Sequence, residues 1–205
     1  LLFRGLCLLV GGGGTVGPVS ESFGAIGSAY LPTITDAPIH DTTLILIVAA
    51  MLIAIVMMIR GRKNKQKFNL PVESKGSFIS KIILTVAALL LVYLILNAYR
   101  GLPYALLLLA ILGCVFTYVA KNTTFGRYIF AIGGNSEATR LAGINVKKMI
   151  FLNYILMGVM VAVASIVYLG RVGQATASAG KDFEFSAITG CIVGGVSTMG
   201  GIGSI

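Results

Sequence analysis

The sequence has few of the side chains that do chemistry. Among 205 residues there are one histidine, three cysteines and seven acids. With His40 alone and no CxxC pair, a zinc or haem site lacks ligands, so no metal is expected. Cys7, Cys114 and Cys191 sit in apolar or glycine-rich surroundings, where free thiols act as small hydrophobes. No HExxH or GxSxG is present, and no carboxylate pair falls in an apolar run. Asp182 and Glu184 belong to a polar stretch. An enzyme buried in a bilayer needs ionisable groups at depth, and only Arg4, near the first residue, comes close. Catalysis is therefore not expected. The glycines at 11–14 lack the Gly-Lys-Ser/Thr ending of a phosphate loop, and AIGGNSEA lacks GxGxxG, so no nucleotide site is expected either.

Charge is scarce as well. Only 11% of residues are charged, against about 25% in soluble domains, and 57% are hydrophobic. Mean hydropathy is +0.93. Long charge-free runs in such a chain imply an all-α, polytopic helical membrane protein within a lipid bilayer.

The formal net charge is +9. Arg60, Arg62, Lys63, Lys65 and Lys67 crowd one connection; Lys121, Arg127, Arg140, Lys147 and Lys148 crowd another. These charges flank apolar runs, as topology signals and headgroup contacts do. No finger, helix-turn-helix or aromatic-basic interleave accompanies them, so nucleic acid is not an expected partner.

The chain begins LLFRGL, without Met or the charged start of a signal peptide, and ends GGIGSI; an internal piece of a longer protein is expected. About four full spans are predicted, at 43–59, 82–99, 104–120 and 149–169. A partial span at 1–10 precedes them, and a broken glycine-rich segment at 188–205 follows. Asp41 or Thr42 is expected to cap the first full span and Arg60 to end it. Pro71 and Gly76 argue against a long helix in the basic stretch 60–78. Arg100, Gly101 and Pro103 make a tight turn, and spans joined so closely are expected as antiparallel neighbours. Residues 15–42 read as an extramembrane loop holding one short amphipathic or re-entrant piece. Asp36, His40 and Asp41 there read as a solvated face.

Loops rich in Lys and Arg lie in the cytosol. Placing 60–78 and 121–148 there requires two spans between them, which 82–99 and 104–120 supply. The outer loop 11–42 then holds Glu21, Asp36 and Asp41 and no Lys or Arg. Asn122, Thr123 and Thr124 form a glycosylation sequon on the inner side, where it is expected to be idle. The whole of 1–205 reads as one transmembrane domain, with 121–148 as its cytosolic loop.

That loop carries the sharpest local signal. Asn135 or Ser136 can cap a short helix through Glu137, Ala138, Thr139, Arg140 and Leu141, and Gly143 can stop it. A capped helix between two spans either passes force to a soluble partner or is an ordered connector. Asn153, Gly158 and Ser165 in the last span favour either a helix contact or a cavity face. Gly190, Gly194, Gly195, Gly200, Gly201 and Gly203 break the final apolar stretch, and broken spans point to a transport path. An uncharged path suits a neutral polyhydroxylated solute, with rings such as Tyr154 packing on a sugar face. Ions or lipid are alternative cargoes, and a passive channel is an alternative class.

Four stretches resemble the permease subunits of bacterial ABC importers for monosaccharides, a group that includes the branched-chain amino acid permeases. They are Phe3-Arg4-Gly5-Leu6 with Val16-Gly17-Pro18; Phe125 through Asn135; Ala138 through Val146; and Ala179-Gly180, Phe183-Glu184-Phe185, Gly194-Gly195-Val196-Ser197 and Gly200-Gly201-Ile202-Gly203. The resemblance implies a paired permease driven by two cytosolic ATPase subunits, which bind ATP and Mg so that this chain needs no cofactor. It also implies an extracellular or periplasmic sugar-binding protein, and inward transport by alternating access across the plasma (inner) membrane. Gly134, Asn135, Glu137, Ala138, Arg140, Leu141 and Gly143 match the coupling helix that docks on the ATPase. Asn153, Tyr154, Gly194, Gly195 and Ser197 are the expected substrate path. The long basic stretch with Phe68-Asn69-Leu70-Pro71 is similar to the xylose and multiple-monosaccharide branch, which makes D-xylose the first expected sugar, closely followed by galactose, arabinose or a mixed-sugar role.

Overall fold

Charge-free runs in this chain fold as helices, because a helix satisfies its own backbone polar groups where water is absent. The computed structural model describes residues 2–33, 40–68, 71 and 74–203, apart from the side chain of Arg4. Asp36, Asn69 and Leu70 lie outside the described residues.

Nine helices occur among the described residues: α1 (Leu2–Gly11), α2 (Glu21–Ser28), α3 (Asp41–Lys67), α4 (Lys75–Tyr99), α5 (Tyr104–Asn122), α6 (Thr124–Gly134), α7 (Ser136–Leu141), α8 (Val146–Val172) and α9 (Phe183–Val193). Four of them, α3, α4, α5 and α8, are long and apolar enough to cross a membrane. The shortest, α5, has 19 residues, a rise of about 28 Å against a hydrocarbon core of about 30 Å. These helices bury almost none of their own surface: Thr43 and Ile47 on α3 and Gly170 on α8 are the buried residues among them. Apolar faces this extensive need a lipid or protein cover. The chain is a multi-pass membrane protein.

It divides into two compact units, one of Leu1–Ala29 with Ala105–Ile205, the other Tyr30–Tyr104. The chain passes from one to the other after α2 and again at the first residue of α5.

The second unit is a helical hairpin of α3 and α4. At one end the hydroxyl of Thr43 accepts the N–H of Leu102 at 3.0 Å, and Asn97 Oδ1 accepts the N–H of His40 at 3.1 Å. At the other, the Arg62 guanidinium lies 4.5 Å over the Phe78 ring. Contacts between the start of α3 and the end of α4, and the reverse, make the pair antiparallel. Gly101 turns the chain after α4 with φ +85, and its N–H bonds to Leu96 O.

Three expectations are corrected by these helices. Arg60 ends the apolar run but not the helix, which continues to Lys67. Arg, Lys and Gln are good helix formers, and cations are favoured at a helix C-terminus, so the basic stretch winds on as helix. Gly76 likewise falls inside the first turn of α4, behind a Ser74 cap that accepts the N–H of Ser77. The cap position of α3 is His40, without a side-chain cap bond; Asp41 belongs to the first turn.

In the first unit, α2 packs on the C-terminal part of α8. The contact is backbone on backbone. A methyl on Gly27 would overlap Arg171 N and Val167 O, and one on Gly170 would lie 2.9 Å from Gly27 N. Val16 and Ala175 exchange N–H···O bonds at 2.8 Å, and Val19 N–H bonds to Gly173 O at 3.0 Å. The part of the expected outer loop from Val16 to Gly27 is therefore stapled along the end of α8. Gly173, with φ +75, stops that helix.

The same unit holds α6, where the sequence reading placed only a loop with one short helix. Thr123 caps α6 by accepting the N–H of Gly126, and a side chain at Gly126 would collide with the backbone of Ala120. The apolar residues Phe125, Ile129 and Ile132 recur at helical spacing. The final apolar segment also begins earlier than expected. Helix α9 starts at Phe183, whose ring meets Tyr168 edge-on at 5.4 Å, and runs through Gly190 before breaking at Gly194.

Candidate functional site

The segment between α5 and α8 is built from caps. Asn135 closes α6 and opens α7. Its extended backbone turns the chain, its Oδ1 accepts the N–H of Ala138 at 2.9 Å, and its carbonyl accepts both the N–H and the hydroxyl of Thr139. Thr139 is buried, unlike the residues around it in α7.

The far end of α7 is closed with equal definition. Gly143 adopts φ +84, its N–H bonds to Arg140 O at 3.0 Å, and the N–H of Ile144 bonds to Thr139 O at 3.3 Å. This is the glycine-terminated Schellman arrangement. Two residues later, Asn145 Oδ1 accepts the N–H of Lys148 and starts α8. A helix of only six residues, marginal alone, is thus fixed by Asn135 at one end and by Gly143 with Asn145 at the other.

The outer face of α7 is open. Glu137 and Arg140 form an ion pair of 2.6 Å with both side chains about two-thirds exposed, at 65% and 68%. Leu141 is 79% exposed. Lys121, Arg127, Lys147 and Lys148 are also exposed. An apolar knob, an ion pair and a positive surround on a fixed helix suit docking to a folded protein surface.

The residues expected along a substrate path separate into two groups. Asn153 and Tyr154 are exposed on α8, and no hydrogen bond or ring contact joins them to the others among the described residues. Gly194, Gly195 and Ser197 follow α9. Gly195 has φ +90 and donates to Ile192 O, while Val196 donates to Cys191 O, a second Schellman ending. Ser197 then heads a turn: its N–H bonds to Ile202 O at 3.0 Å, its carbonyl accepts from Gly200, and its hydroxyl accepts from Met199.

That turn rests on the end of α6. Methyl groups placed on Gly133, Gly200 and Gly201 would meet the backbones of Gly201, Gly133 and Gly134 at 2.5, 2.7 and 2.8 Å. Sequence reasoning missed this approach. The paired glycines 133–134 and 200–201 were visible; that they meet was not. Among the described residues, no cluster of three or more His, Cys, Asp or Glu offers a metal site.

Four helices long and apolar enough to span, with a fixed short helix between two of them, mark the class as polytopic membrane proteins. The chain belongs to a family of ABC transporter permeases: the family described as branched-chain amino acid transport system / permease component matches residues 20–205. Among curated proteins, the chain is 35% identical over 208 residues to the xylose transport system permease protein XylH of Haemophilus influenzae, covering 100% of this chain and 53% of that protein. It is 38% identical over 205 residues to XylH of Escherichia coli K12, covering 100% of this chain and 50% of that protein. The ribose import permease protein RbsC of Haemophilus influenzae is 39% identical over 105 residues, 51% of this chain and 32% of RbsC. The chain spans about half the length of the XylH proteins it matches. No solved structure matches it. The family is one of transport subunits, not of catalysts.

Proposed function

We propose that the chain forms part of the permease of an ATP-driven monosaccharide importer, and that α7 is its coupling helix. The observation that carries this is the fixing of α7 at both ends, with Glu137, Arg140 and Leu141 held outward. A helix so held transmits a push to α6 and α8 instead of absorbing it. A passive channel has no use for such a device.

In this reading a cytosolic ATPase binds ATP and Mg and docks on α7. Closure of the ATPases rocks the spans of two paired permease copies between outward- and inward-facing forms. An extracellular or periplasmic binding protein delivers the sugar. The basic segments 60–78 and 121–148 face the cytosol, in line with their Lys and Arg excess. D-xylose is the first sugar, because the matches to the XylH proteins cover the entire chain, whereas that to RbsC covers 51% of it. The family description offers branched-chain amino acids as the second reading.

The test uses the full-length permease reconstituted in liposomes with its ATPase and binding protein. ATP-dependent accumulation of labelled xylose, and not of leucine, is the expected result. ATP-dependent leucine accumulation supports the second reading. Solute movement without nucleotide overturns the importer assignment.

A further inference from the structure

The contact between the turn after α9 and the end of α6 has properties beyond packing. It is made by backbones alone, since every side chain that would separate them is missing. A methyl on Gly133 would lie 2.5 Å from Gly201 N and 3.1 Å from its Cα; one on Gly201 would lie 2.8 Å from both N and Cα of Gly134. Gly200 and Gly201 have φ of +85 and +73, which other residues adopt only with strain. Both partners are stiff. The turn is closed on itself by the three bonds of Ser197, and Gly134 is the last residue of α6, next to the Asn135 that caps α7.

We propose that Gly133 and Gly134, clasped against Gly200 and Gly201, are positioning residues for transport: they join the broken segment after α9 to the coupling helix so that the two move as one body. This rests on the reading of α7 as the coupling helix. Displacement of α7 is passed by Asn135 to the end of α6, and from there by backbone contact to the turn. The turn carries it to α9, an apolar helix of 11 residues, about 16 Å long and too short to cross a bilayer alone. Backbone contact suits this role, because no rotamer change can relax it.

A glycine outside the clasp supplies the control. A methyl on Gly133 meets the clasp, whereas a methyl on Gly76, in the first turn of α4, meets nothing within 4 Å. In the full-length permease assembled with its ATPase and binding protein in liposomes, Gly76→Ala is expected to keep the wild-type ratio of xylose taken up per ATP hydrolysed. Gly133→Ala is expected to retain the ATPase and its hydrolysis while that ratio falls about tenfold or more. Equal ratios for the two variants overturn the proposal.

Should Gly133→Ala fail to assemble, spin labels on Leu141→Cys and Met199→Cys decide the matter, in a complex that keeps Gly133 and has its native cysteines replaced. Their separation is expected to hold between nucleotide-free and ATP-trapped states, and a change beyond about 5 Å overturns the clasp. Absence of ATP-driven uptake in the wild-type assembly is a different result: it defeats the importer reading, while the label distance still judges the clasp.

Discussion

Thr43 and Leu102, 59 positions apart, are joined by a hydrogen bond of 3.0 Å from the Leu102 N–H to the Thr43 hydroxyl, and both residues are buried. The bond ties the start of α3 to the chain leaving α4. Thr43→Val keeps the shape and deletes the acceptor, leaving a buried donor unpaired at a cost of about 1–3 kcal/mol. Thermal unfolding of the full-length permease in detergent should show a lower midpoint for Thr43→Val and a near-normal one for Thr43→Ser. Gly101→Ala should destabilise the same end, since its methyl would lie 3.0 Å from His40 Nδ1 at φ +85.

The crossing of α2 and α8 is expected to tolerate nothing larger than glycine at its centre. Gly27→Ala forces the two backbones apart, because its methyl would overlap the backbone at 167–171. Gly24→Ala, whose methyl would sit 3.8 Å from Gly170 O, is an ordinary contact and serves as the control. Limited proteolysis should expose the segment holding α2 in Gly27→Ala and leave it protected in Gly24→Ala.

Loss of the Asn135 cap should weaken α7 locally. Asn135→Ala removes the acceptor for the Ala138 N–H, worth about 1 kcal/mol, while Asn135→Asp and Asn135→Ser retain one. Global stability should change little. Uptake driven by ATP should fall in the alanine variant and recover in the other two.

The Glu137–Arg140 pair separates stability from docking. An ion pair this exposed contributes well under about 1 kcal/mol to folding. Glu137→Gln and Arg140→Gln should therefore unfold at the wild-type temperature. Co-purification of the ATPase should nevertheless drop, most clearly when both changes are combined. Unchanged co-purification would place the docking surface elsewhere.

Much of this architecture was legible in the residues. The four long apolar runs became α3, α4, α5 and α8, because charge-free stretches of that length leave the backbone no other way to satisfy itself. The helix α7 was legible from Asn135 and Gly143, since caps are local chemistry. The extension of α3 through Arg60 and Lys67 was not, because apolarity marks where hydrocarbon ends and not where a helix ends. Helix α6 was hidden by its setting in a basic stretch, although Phe125, Ile129 and Ile132 carried its period. The approaches of Gly27 to Gly170 and of Gly133 to Gly201 were beyond reach, because a glycine announces freedom and close contact without naming its partner. Nor does the residue type of Ser197, expected along a substrate path from the family resemblance, announce the turn it organises.

The central claim is that α7 faces the cytosol and receives an ATPase. Leu141, 79% exposed on α7, is the place to test it. In a full-length permease with Cys7, Cys114 and Cys191 replaced, Leu141→Cys should react with a membrane-impermeant maleimide in inside-out vesicles and not in intact cells, and the assembled ATPase should block that reaction. Labelling from outside the cell, or equal labelling with and without the ATPase, would contradict the account.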